Sequence, residues 1–93
     1  MQSLAVAPQA EATVEKKSGK LTKNSVTQQV FTVTNGGVQP GVFRLKATRK
    51  GRVKTKLLND LLYLEAGASE DVVVYARGSK RAKVGLKATL EGA

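Results

Sequence analysis

From Gly41 to Thr48, and again from Arg52 to Leu57, the chain sets apolar or small residues at every second position and mostly cations between them. Phe43, Leu45 and Ala47 alternate with Arg44, Lys46 and Thr48, and Val53, Thr55 and Leu57 alternate with Arg52, Lys54 and Lys56. A period of two belongs to a strand with one face in a core and the other in water, and it cannot supply the 3.6-residue apolar stripe of a surface helix. Glycine-centred turns divide the rest of the chain in the same way. The spacing predicts a first strand over Ala12 to Lys17, closed by Ser18-Gly19, and a second over Thr27 to Thr34, ending in Asn35-Gly36-Gly37. Gln29, Phe31 and Val33 share one face of the second. Pro40-Gly41 opens the third strand and Gly51 turns into the fourth.

After Asn59-Asp60 a short fifth strand covers Leu61 to Leu64, and the turn Glu65-Ala66-Gly67-Ala68 leads to a sixth over Asp71 to Ala76. Val72, Val74 and Ala76 oppose Val73 and Tyr75, which predicts a strand covered on both faces. The last strand turns Val84, Leu86, Ala88 and Leu90 inward, with Gly85 read as a bulge. Seven short strands with turn signals between them predict an all-β fold, an immunoglobulin-like β-sandwich of about seven antiparallel strands in two sheets. A five-stranded Greek-key barrel is the rival, disfavoured by the strand count and by the want of a helix to plug one end. The expected core is Phe31, Val33, Phe43, Leu45, Val53, Leu57, Leu64, Val74, Leu86 and Leu90. A chain of 93 residues holds one such core. Residues 11–93 are expected to form a single domain, with Met1 to Ala10, small, polar and interrupted by Pro8, as a flexible lead or linker.

The chain contains neither histidine nor cysteine. That removes the usual general base near neutral pH, the thiolate nucleophile, Cys/His zinc sites and disulfides, so no enzyme and no cofactor are expected. Glu65, Glu70 and Asp71 cluster around the turn at Gly67 but match no ordered ligand series, and no metal site is expected. Gly36-Gly37 and Gly41 precede a strand, so they lack the helix N-terminus of a phosphate-cradling loop. No apolar run approaches the roughly 18 residues that span a bilayer, and residues 1–10 lack the basic and long apolar regions of a secretory signal. No membrane insertion is expected.

Sixteen Lys and Arg stand against seven Asp and Glu, a net charge of +9. Such an excess attracts polyanions through counterion release, and it also keeps a β-rich protein soluble and guards its strand edges. The densest signal is Arg44, Lys46, Arg49, Lys50, Arg52, Lys54 and Lys56, seven cations in thirteen residues with no acid among them. If the third and fourth strands pair as a hairpin through Arg49-Lys50-Gly51, then Arg44, Lys46, Arg52, Lys54 and Lys56 project from one solvent face. Alternation would set them about 7 Å apart along each strand, a platform for a polyanion. A second cluster, Arg77, Lys80, Arg81 and Lys83, either extends this patch or sits at the far end of the molecule. Of the four aromatic residues, Phe31 and Phe43 read as core, which argues against base recognition by a sheet. The absence of Trp likewise argues against sugar stacking.

Three stretches together carry a family resemblance: Phe31-Thr32-Val33-Thr34-Asn35-Gly36-Gly37, the strand Gly41 to Thr48, and Leu64-Glu65-Ala66-Gly67-Ala68-Ser69 before Val72-Val73-Val74. They resemble the immunoglobulin-like modules of bacterial and archaeal surface proteins and extracellular enzymes, the group of the alpha-galactosidase-associated NEW3 and CARDB-type adhesion domains. The resemblance spans roughly Thr27 to Leu90. It implies a non-catalytic module used for spacing, adhesion or assembly in a surface or secreted protein, beside neighbouring domains of a longer chain. Expected partners are an anionic polysaccharide, a nucleic acid or an acidic protein surface. Two other readings stand beside it: an intracellular nucleic-acid-binding barrel, favoured if the 93 residues are a complete native chain, and a self-assembling shell or fibre subunit.

Overall fold

The computed structural model describes residues 12–23 and 25–91, and the expected lead over residues 1–10 lies outside them. Seven strands form: β1 (Ala12–Ser18), β2 (Thr27–Asn35), β3 (Gly41–Lys50), β4 (Val53–Leu57), β5 (Leu61–Leu64), β6 (Ser69–Gly78) and β7 (Lys83–Leu90). A four-stranded sheet in the order β1-β2-β6-β4 packs on a three-stranded sheet in the order β5-β3-β7, and every pairing within the sheets is antiparallel. The fold is a β-sandwich. Among the described residues no helix is long and apolar enough to cross a membrane.

The core forms where alternation places it. Phe31, Val33 and Val74 of the first sheet meet Phe43, Leu45, Leu62, Leu64 and Leu86 of the second, with Leu57 and Leu90 packed at the margin. Phe43, Val33 and Val74 are wholly buried. A smaller cluster of Val53, Ala76 and Ala82, backed by Leu21 and Val84, lies under one end of the sandwich. Gln29 is buried on the same face as Phe31 and Val33, and its Nε2 donates to Thr27 Oγ1, which in turn donates to the Ala76 carbonyl. The sixth strand is central in its sheet, with Val73 and Tyr75 half-buried on its outer side.

Two local expectations are corrected. Gly85 makes no bulge: it stays in register opposite Thr48, and a Cβ there would come within 2.6 Å of Thr48 Oγ1. Among the described pairings the register shift falls in β1 instead, between Lys16 and Ser18. The larger correction is that β3 and β4 are not a hairpin. From β2 onward each connection crosses from one sheet to the other, so β3 lies between β5 and β7 while β4 pairs with β6.

Candidate functional site

The crossing at Gly51 redistributes the seven cations of the dense cluster. On β3, Phe43 and Leu45 point into the core, so Arg44 and Lys46 stand on the outer face of the three-stranded sheet. On β4, Val53 and Leu57 point inward, so Lys54 and Lys56 stand on the outer face of the four-stranded sheet. These are opposite sides of the sandwich, and the single flat platform expected from a hairpin does not form.

The same crossing brings together another set. Gly51 adopts φ +88°, a left-handed conformation that favours glycine, and lies 3.3 Å from Ala82 Cα by the position of its missing Cβ. Gly78 faces Val53 in the ladder, and a Cβ on it would strike the Arg52 carbonyl oxygen and stand 2.6 Å from Val53 Cα. Two bare glycines therefore let the β3–β4 and β6–β7 loops close on each other, and the Ser79 amide donates to the Arg52 carbonyl at 2.8 Å. Arg49, which continues the inward face of β3, reaches across this junction, its Nη1 donating to the Val53 carbonyl over 3.5 Å.

The result is a cleft of about 570 Å³ lined by Arg49, Arg52, Lys54 and Arg77, with Gly51, Val53 and Gly78 between them. Around the same end, Arg52 also borders a cleft of about 480 Å³ with Lys23, Lys80 and Arg81. Lys80 borders a third, about 410 Å³, with Lys16, Lys20 and Lys83. The second basic cluster thus extends the first. The sequence places Arg77 in the second cluster, on the loop before the last strand, and the structure sets it at the end of β6 beside the first cluster. The signal pointing to it is Gly78, which allows the close strand approach.

On the outer face of the three-stranded sheet, Lys46 stands opposite Lys87 and Lys50 opposite Lys83. Like charges directly across a ladder repel. No described acid forms an ion pair with any of the four.

Three described acids, Asp60, Asp71 and Glu91, are engaged by cations outside the cleft. Arg44 has its Nε 2.7 Å from Glu91 Oε2 and its Nη1 3.2 Å from Asp60 Oδ2. The hydrogen bond with Arg44 draws the Glu91 carboxyl below its usual range, and the same pair raises Arg44. Lys17 Nζ lies 2.7 Å from Asp71 Oδ2, and Thr32 Oγ1 donates to Asp71 Oδ1 at 2.9 Å, so Asp71 is also held below the usual carboxylate range. Of the dense cluster, then, Arg49, Arg52 and Lys54 line the main cleft and Lys50 flanks it. Lys46 and Lys56 lie on opposite outer faces, and Arg44 is neutralised. Among the described residues no three acidic side chains converge to hold a metal ion. No protein-family model, curated protein or solved structure matches the chain.

Proposed function

We propose that the chain is a non-catalytic binding module that grips an anionic polymer at its basic end. The observation that carries this reading is the cleft of Arg49, Arg52, Lys54 and Arg77, assembled from two segments distant in sequence and free of any acidic lining residue. A protein that used its positive charge only for solubility would gain nothing from concentrating it. Self-repulsion of this kind costs stability. Here Lys50, between the cleft residues Arg49 and Gly51, faces Lys83, and no described ion pair engages either lysine. A polyanion bound at the basic end relieves that repulsion and releases its own counterions.

Two triple variants with the same change of charge test the reading. Replacing Arg52, Lys54 and Arg77 by Ser is expected to flatten the salt dependence of heparin binding, by about one unit of log-log slope per residue that contacts the polymer. Replacing Arg44, Lys46 and Lys87 by Ser leaves the slope nearly unchanged. Equal losses in the two triples would show that net charge alone drives binding and would end the proposal.

A further inference from the structure

The sequence argument against nucleic acid rested on aromatic residues being core. Phe31 and Phe43 are core, but Tyr75 is not. Its neighbours Val74 and Ala76 are buried, so by alternation Tyr75 stands on the outer face of the four-stranded sheet. It lies opposite Lys56 on one side and Gln28 on the other, and Arg77, two residues on and about 7 Å away along the strand, lies opposite Lys54. Tyr75, Val26, Lys54, Lys56 and Arg77 line a depression of about 190 Å³. Val26 is 63% exposed there, an apolar side chain left in water beside an aromatic ring and three cations. Lys54 and Arg77 belong both to this depression and to the basic cleft.

We propose that Tyr75 is a stacking platform for a nucleobase and that the polymer held at the basic end is a single-stranded nucleic acid. This rests on the proposed function and names its ligand class. Cations alone serve any polyanion, but a half-buried ring on the outer face with an apolar wall next to them serves a ligand that carries flat apolar faces as well as charge. A duplex keeps its bases stacked inside, whereas a single strand splays them onto aromatic side chains while its phosphates follow a basic groove. The cleft supplies the groove and Tyr75 supplies the platform within one residue pair of it.

The chain has two tyrosines and no tryptophan, and Tyr63 lies on the opposite outer face, across from Val42. Tyr63→Phe therefore leaves Tyr75 as the reporter. Titration of this variant with a short oligo(dT) is expected to quench its tyrosine fluorescence, and titration with heparin to leave it unchanged. In the wild-type background, Tyr75→Ala is expected to weaken oligo(dT) binding about tenfold and Tyr75→Phe to retain it, because the ring face carries the stacking. Heparin affinity should follow neither change. No quenching, or an equal effect of Tyr75→Ala on oligo(dT) and heparin, overturns the platform while leaving the basic cleft intact. Absence of salt-dependent binding to either polymer overturns both proposals.

Discussion

The carbonyl of Arg52 and the amide of Ser79, 27 positions apart in the chain, are joined by a 2.8 Å hydrogen bond that fixes the β3–β4 loop against the β6–β7 loop. Everything at the basic end depends on this closure, since Arg49 and Arg52 enter from one loop region and Arg77, Lys80 and Arg81 from the other.

The closure predicts that Gly78→Ala damages both stability and binding. Its new Cβ meets backbone atoms of Arg52 and Val53, which cannot move aside as a flexible side chain can. Overpacking of this kind costs about 1–3 kcal/mol. Thermal and denaturant melts should show that loss, and heparin affinity should fall without any change in charge. A fully stable Gly78→Ala protein with unaltered affinity would mean that the two loops do not need the close approach.

A second prediction concerns Asn35, wholly buried at the end of β2. Its Nδ2 donates to the carbonyls of Gln39 and Leu64, and its Oδ1 accepts from the Gly37 amide, while its backbone pairs with Ala68 and Gly67. One side chain thus ties the turn after β2 to the end of β5 in the other sheet. Asn35→Ala strands the buried Leu64 carbonyl and frees the Gln39 and Gly37 backbone groups, and should cost about 2–4 kcal/mol, read from denaturant unfolding. Polyanion binding at the opposite end should persist at temperatures below the lowered melting point.

Asp71 and Glu91 are both held below the usual carboxylate range by their hydrogen-bonded cations. A carboxyl with a depressed native pKa contributes stability that is present above its unfolded value, about 4, and is lost as the pH falls through the native value. Acid titration followed by NMR should therefore show these two carboxyls protonating below the ordinary carboxylate range. In Lys17→Ala the Asp71 titration should move back toward the ordinary value. An unmoved midpoint would show that the Lys17 contact does not persist in solution.

Which residues face the core was legible in the chain, because alternation in β2, β3, β4 and β6 reports burial directly, as Phe43 and Leu45 against Arg44 and Lys46 illustrate. Which strands are neighbours was not. Alternation says that Lys54 faces away from a core and Lys46 faces away from a core, but it does not say that these are two sheets on either side of it. A glycine turn such as Gly51 is compatible with a hairpin between the third and fourth strands, whereas here its left-handed conformation carries the chain over the edge of the sandwich. Gly85 was read as a bulge, and the close approach it serves, to Thr48 on β3, lies 37 positions away in the chain. The site was half legible for this cause: the cations of the β3–β4 region were visible as a cluster, but their meeting with Arg77 and their separation from Arg44 follow from strand pairing alone.

The most direct measurement of the central claim is a backbone-amide chemical-shift map recorded while heparin is titrated into the labelled protein. Binding at the basic end predicts the largest shifts in residues 49–54 and 77–83, with little change over residues 64–71. Shifts spread evenly over all lysine-bearing segments, or concentrated around Arg44 and the β5 edge, would contradict it.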